Sequence, residues 1–393
     1  NKIFNGLTGI KLADGEDNGI GAEFRSNFSV APLSVAANLD ENPMDLELAA
    51  GYTIYKVTIT NLNGIAGNSM KATNFQIDNS LRDGFTAVAD INDDGILDVV
   101  VTSPGISNEA ILYSYTYDKG IPKLIAKSYP PTLDLPTIGV PVIGDISGLG
   151  KPSILFTRPS RILAYSYNGT SFFNQEWTHV TTDSSGMTGL TVFDFNFDGA
   201  QEIVYRDMSA LTILNGAIIL PTVMAKLACY SGTLMENPIV GDIDNSGHAK
   251  ICVVCSSLSN QFDGHLTIFG PPDSLPGWAP ARGIWNQYAY NPLYINDDLT
   301  VPRYQKNQAT YGNGKYNNFM QQESLLDSNG YYKRPAASLT GKIQCINYDP
   351  ITKLYTVTFD LFNRKDASAA ADSNLAISFF DGDPTNAGTL IGH

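Results

Sequence analysis

Apolar residues fall into short runs separated by polar, glycine-rich turns. Leu112-Tyr113-Ser114-Tyr115-Thr116-Tyr117, Leu163-Ala164-Tyr165-Ser166-Tyr167 and Leu266-Thr267-Ile268-Phe269 alternate, with aromatic and β-branched side chains on every second position. That period is the signature of strand. Ala87-Val88-Ala89 and Val99-Val100-Val101 are two further apolar strands, and Leu48 to Val57 reads as two strands about Gly51. The pattern predicts an all-β chain.

The stretch between the two apolar strands is the most informative in the sequence. In Asp90-Ile91-Asn92-Asp93-Asp94-Gly95-Ile96-Leu97-Asp98, oxygen-bearing side chains occupy positions 1, 3, 5 and 9. Gly95 stands at position 6, where a tight turn favours a residue without a Cβ. The backbone carbonyl of Ile96 is a further candidate ligand. Alternate carboxylates that turn inward together suit calcium, a hard cation that takes oxygen ligands. An EF-hand is excluded, because the flanks are strands and Val101 stands where its final Glu belongs.

The same frame recurs. Asp194, Asn196, Asp198, the carbonyl of Ala200 and Glu202 repeat it in full. Asp242, Asp244 and Ser246 repeat it as a weak or vestigial site, since Lys250 replaces the last acid. Either the Lys250 ammonium pairs with Asp242 or Asp244 in place of a cation, or it points away; the first is favoured because it satisfies the carboxylates. Asp145 opens a degenerate copy that has lost most ligands. Asn38 opens a decayed one, with Glu47 shifted by one residue. The starts lie about fifty residues apart, a period that suits one four-stranded blade per repeat.

These repeats resemble the FG-GAP or VCBS repeats of calcium-binding β-propellers in large surface proteins of Bacteroidetes-type bacteria. The likeness is carried by Val88 to Gly95, Val192 to Gly199 and Pro238 to Asp244. Trp278 to Gln287 is similar to the segment that closes such propellers, so that the match covers roughly residues 30 to 325. The resemblance implies a β-propeller of six or seven four-stranded blades over residues 1–335, with the closing region supplying one or two of them. It also implies structural Ca2+ at about two sites, the loops of Asp90 and Asp194.

Composition sharpens this picture. A net charge of −14 and a pI near 4.6 argue against nucleic acid and anionic membranes as partners. No apolar run approaches the roughly twenty residues of a membrane helix. Weak calcium loops suit millimolar calcium, hence an extracellular or cell-surface location. Of the four cysteines, Cys252 and Cys255 have knuckle spacing without a second pair, so zinc is not expected. They face opposite sides of a strand, and one of them is expected to pair with Cys229.

Residues 1–30 are expected to supply the outer strand of the last blade. Between 278 and 335, Trp278, Trp285 and a series of tyrosines form either a sugar-stacking surface or an aromatic-rich blade interior with a long ordered loop, the second being favoured. Beyond Pro335, three strands within residues 336–393 resemble about half of an immunoglobulin-like adhesion-type sandwich. The chain is expected to end as the next strand begins, as a fragment would or as an edge left for a partner strand.

No catalytic residues stand out, since the four histidines share no motif spacing and calcium accounts for the patterned carboxylates. The favoured function is a non-catalytic secreted or surface adhesion module that binds a glycan or protein partner, with self-association through the C-terminal domain as a further option. The alternatives are a polysaccharide lyase or hydrolase on a propeller scaffold, and a structural segment of a surface filament.

Overall fold

The apolar runs form strands where the pattern puts them. The computed structural model describes all residues except 16–32, 41, 43–44, 74–77, 79, 105–108, 132–136, 217–218, 234, 258–259, 273–276, 327–338, 364–376, 383–387 and 393. Two compact units result, Asn1–Ser324 and Leu325–His393. The expected boundary at Pro335 lies outside the described residues. No helix among the described residues is long and apolar enough to cross a membrane.

The first unit opens with a hairpin, β1 (Lys2–Phe4) and β2 (Lys11–Asp14). Antiparallel sheets follow in chain order. The first holds β3 (Val35–Ala37), β4 (Glu47–Ala50), β5 (Thr53–Thr58) and β6 (Ser69–Ala72). The second holds β7 (Phe85–Ala89), β8 (Asp98–Ser103), β9 (Ile111–Asp118) and β10 (Ile121–Ser128). The third comprises β11 (Val142–Gly144), β12 (Ser153–Arg158), β13 (Arg161–Tyr167) and β14 (Phe173–Val180). The fourth comprises β15 (Leu190–Phe193), β16 (Glu202–Arg206), β17 (Ala210–Leu214) and β18 (Val223–Ala228). The fifth has three described strands, β19 (Ile239–Gly241), β20 (Lys250–Ser257) and β21 (Asn260–Phe269).

Burial falls from the first strand to the fourth. Every residue of β7 and β8 is buried, which explains the unbroken apolar runs there, whereas β10 and β18 alternate with exposed positions. Each first strand lies beside the first strand of the next sheet, from β3 through β7, β11 and β15 to β19. The core runs between these sheets.

Residues 278–324 do not supply the expected extra blades. Among the described residues they form one 3-10 turn, Pro292–Tyr294, and isolated bridges. Their role is to bond the edges of the first strands that no other strand of the sheet covers. Gln305 accepts from the Asn38 N–H at 3.1 Å beside β3, and Gln308 Nε2 donates to the Val88 carbonyl of β7. Phe319 and Ile143 of β11 exchange two backbone bonds. The Val192 N–H of β15 donates to Met320 O, and Gln322 Nε2 donates to Val240 O of β19 at 2.9 Å. One segment therefore ties all five described sheets. Its aromatics are largely interior: Tyr290 and Tyr294 are buried, and Trp285 stacks on Tyr290.

The N-terminal hairpin also departs from expectation. β2 lies beside β6 of the first sheet, with Ala13 packed among Ala50, Tyr55 and Met70, rather than on the last sheet. Cys229, just after β18, pairs with Cys255 of β20 and joins the fourth sheet to the fifth. Cys252 stays a buried free thiol on the opposite face of β20.

In the second unit, β22 (Leu339–Asp349) and β23 (Leu354–Asn363) form one hairpin, and β24 (Phe379–Asp381) pairs with β25 (Thr389–Gly392). The fourth strand, β25, corrects the expectation that the chain ends before one begins.

Gln308 also donates to Asn318 O and accepts from the Tyr294 hydroxyl, all in buried surroundings. Gln308→Leu strands these groups at a cost of about 2 kcal/mol, which lowers Tm by about 4 °C. An unchanged thermal melt would remove this segment's claim to hold the sheets together.

Candidate metal centres

The loops identified in the sequence occupy one place in the fold, the turn from first to second strand of each sheet. Their backbone is nearly invariant. The carboxylate at position 1 accepts from the glycine N–H at position 6: Asp90 from Gly95 at 2.7 Å, Asp145 from Gly150 at 2.6 Å, Asp194 from Gly199 at 3.0 Å and Asp242 from Gly247 at 3.0 Å. These glycines have φ of 84°, 77°, 94° and 83°, the left-handed region that a Cβ opposes. The turn thus forms equally where side-chain ligands are intact and where they have been lost.

The end of each loop carries the chemistry. The first residue of the second strand faces the last of the first strand: Glu47 opposite Ala37, Asp98 opposite Ala89, Ser153 opposite Gly144, Glu202 opposite Phe193 and Lys250 opposite Gly241. Glu47, Asp98 and Glu202 are 1%, 0% and 0% exposed. In each, one oxygen accepts a backbone N–H, from Leu39 at 3.0 Å, Ile91 at 3.0 Å and Phe195 at 2.8 Å. The other oxygen (Glu47 Oε1, Asp98 Oδ1, Glu202 Oε1) is buried without a hydrogen-bond partner.

A buried carboxylate with one orphaned oxygen requires a proton or a cation. Burial pushes Asp98 well above the usual carboxylate range, raises Glu47, and takes Glu202 to about 8. Burial likewise raises Asp90 and Asp194.

The remaining ligand candidates divide. Asp40, Asp45 and Glu47 bring carboxylate oxygens within 4.8 Å of one another, the one such acidic set among the described residues. In the second loop, Asp90 Oδ1 accepts from Asn92, Asp93 and Asp94, and the Asn92 amide donates to Asp94 at 3.0 Å. The fourth loop is alike, with the Asn196 amide on Asp198 at 2.9 Å. The N–H groups of Ile96 and Ala200 donate to Asp94 and Asp198 at 2.9 Å. The acids of these two loops therefore turn toward their own backbone rather than gathering at one point.

The decayed first loop consequently has the most closely gathered acids. Counting nine positions from Asn38 misses Glu47, whereas counting from the start of the second strand finds it. In the third sheet, where Ser153 replaces the acid, burial raises the Glu176 carboxyl of β14, which bonds to the Ser153 and Ser166 hydroxyls. No local pattern points to a residue arriving from the fourth strand. In the fifth sheet, Lys250 Nζ lies 3.6 Å from Asp244 and 3.0 Å from Ser246 Oγ, so the ammonium sits where a cation would. Beside the fourth loop's strand, Arg206 faces Glu236 at 3.4 Å, and Asp207 accepts from Thr182.

No family model matches the chain, and no curated protein matches it. Among solved structures it is similar to the Vibrio cholerae biofilm matrix protein Bap1, with 17% identity over 73% of this chain and 41% of that one, at a TM-score of 0.37. It is similar to rhamnogalacturonan lyase YesW, with 14% identity over 60% of this chain and 48% of that one, at a TM-score of 0.39. An Agrocybe aegerita lectin specific for non-reducing terminal N-acetylglucosamine gives 14% identity over 61% of this chain and 66% of that one, at a TM-score of 0.37. The chain spans less than half the length of the first two.

Glu202 supplies a test with a definite sign. Its carboxyl titrates near 8 in the fold against a model-peptide value near 4.3. Between these values the native state holds the extra proton, so in chelator stability falls as pH rises from about 5 to 8. Glu202→Gln removes its own share of that dependence, leaving the shares of the other raised carboxyls, and raises Tm by a few degrees at pH 8 in chelator. Equal pH–melting curves for the two proteins would show that the Glu202 carboxyl is not burdened by burial.

Proposed function

We propose that the chain is a secreted or cell-surface binding module, non-catalytic, whose repeat loops hold structural calcium and whose partner is a glycan or protein. In this reading the sheets of the first unit are blades of a β-propeller, and the second unit is the start of an immunoglobulin-like sandwich. The observation that carries the calcium reading is the buried acid at the start of β8 and β16, each with an orphaned oxygen.

Asp90, Asn92, Asp94, the Ile96 carbonyl and Asp98 would hold one ion. Asp194, Asn196, Asp198, the Ala200 carbonyl and Glu202 would hold a second. Asp40 and Asp45 already face the Lys56 ammonium at 3.8 and 3.9 Å, as Asp244 faces Lys250, so no ion is assigned there. Donor sets made only of oxygen suit calcium. When bound, the ion supplies positive charge against carboxylates that otherwise repel. The chain's own residues do the rest: the glycine turns fix the loops, and the β-ladders bring the terminal acid to them. Asp242, Asp244 and Ser246 are excluded from this set because Lys250 already meets Asp244 and Ser246, while Asp242 accepts from the Ser246 and Gly247 N–H groups.

The propeller reading draws support from the order of the first strands and from the single segment that bonds all of them. An extracellular site is supported by the Cys229–Cys255 disulfide, since such bonds persist in oxidising compartments.

Asp94→Ala or Asp198→Ala is expected to lower Tm in calcium by several degrees and to change it little in chelator. An unchanged melt in calcium for both rejects the structural-calcium reading. A glycan array, run in calcium with soluble products checked by mass, tests the module. Binding without cleavage supports it, cleavage products favour the lyase or hydrolase alternative, and a blank array favours a protein partner.

A further inference from the structure

The segment that ties the sheets also carries the chain's most distinctive surface. From 303 to 316 it reads Arg-Tyr-Gln-Lys-Asn-Gln-Ala-Thr-Tyr-Gly-Asn-Gly-Lys-Tyr, with three basic residues and no acidic one in a chain of net charge −14. Its side chains sort by chemistry. The amides of Gln305, Gln308 and Asn307 turn inward, Asn307 donating to the Gly95 carbonyl at 3.0 Å. Asn317, just beyond, exchanges two bonds with the Asp90 backbone at 2.6 and 2.8 Å.

Outside, beside Thr310 and Asn313, stand cationic and aromatic side chains. Tyr304 is 47% exposed and Tyr311 41%. Arg303 lies over the Tyr304 ring at 5.5 Å, and Lys306 lies 3.9 Å from the centre of the Tyr311 ring and donates to its hydroxyl at 2.7 Å. Tyr311 and Tyr316 rings lie 5.6 Å apart. Lys315 is already neutralised by Glu323 at 2.5 Å. Arg303 and Lys306 have no carboxylate partner among the described residues.

We infer that this surface is a binding platform for an acidic glycan, whose carboxylates meet Arg303 and Lys306 and whose sugar rings lie against the tyrosines. The inference rests on the binding-module reading and names its ligand class and place. Each feature contributes. The uncompensated cations select an anion, and stacking on a ring fixes each cation at low cost in side-chain freedom. The inward amides hold the loop rigid before the ligand arrives. A nucleic acid fits less well, since its closely spaced phosphates call for an extended basic track, and the acidic loop of Asp90 adjoins this one.

The test compares polygalacturonate with the same polymer after reduction of its carboxyl groups, at fixed calcium, by affinity electrophoresis and calorimetry of the full chain. Expected are binding of the acidic polymer, weakened by salt, little binding of the reduced one, and loss of about tenfold or more in the double variant Arg303→Gln/Lys306→Gln. These side chains are exposed, so the variant keeps the wild-type melt, and Lys306→Arg in the otherwise native chain retains binding. Acid-dependent binding that the double variant leaves intact overturns the platform while sustaining the module, with calcium bridging as the route. Equal binding of both polymers overturns the acidic class alone. Tighter binding of a single-stranded oligonucleotide overturns the glycan. No binding of any polymer or array glycan overturns the platform together with the glycan reading of the module.

Discussion

The first strand of each sheet is an edge strand, and its outer N–H and C=O groups lie inside the molecule. Buried backbone groups left unpaired cost as much as lost hydrogen bonds. Segment 305–322 removes that cost, meeting β3, β7, β11, β15 and β19 in turn with glutamine side chains or its own backbone. Its irregular backbone follows from this task. A regular strand pairs with two neighbours, whereas this segment reaches the edges of five sheets. Amide side chains, which offer both donors and an acceptor, make up the difference. Asn291 shows the same economy, bonding Tyr316 O and Asn318 O while capping the turn at Leu293.

The loops solve a different problem with equal regularity. A short turn between two buried strands must dispose of several backbone N–H groups at once. The position-1 aspartate gathers them, and the same Asp-to-Gly bond persists in the loops of Asp145 and Asp242. Turn formation and cation binding are thus separable, which explains why the repeats tolerate such varied residues at their ends. Glu47, Asp98 and Glu202 leave a charge to be neutralised, Lys250 brings its own, and Ser153 removes it while Glu176 enters from the side.

Much of this was legible in the sequence because it is local. Strands, loops and the fifty-residue period follow from alternation and from Asp-Gly spacing within nine residues. The Lys250 substitution also read correctly as an internal cation. The joining segment did not, because its bonds span more than two hundred residues and glutamine has no periodic signature; the tryptophans and tyrosines suggested blades instead. Glu47 was displaced by one inserted residue, which defeats a count along the chain but not the register of β3 with β4. Cys229 was placed with a partner in β20, and alternation left two choices; the fold selects Cys255, on the face toward the fourth sheet.

The two themes meet at one point. Asn307 bonds the Gly95 carbonyl and Asn317 bonds Asp90 on both its N–H and its C=O, so the exposed tyrosine and lysine surface stands directly on the second acidic loop. Whatever stabilises that loop also fixes the platform. A cation at Asp90, Asp94 and Asp98 would quiet the repulsion among them and brace the Gly95 carbonyl that Asn307 bonds. The same neutralisation would lower the negative field that the proposed anionic ligand meets a few residues away. A loop acid that looks purely structural in its own sheet is, through two asparagines, part of the electrostatics of the neighbouring surface.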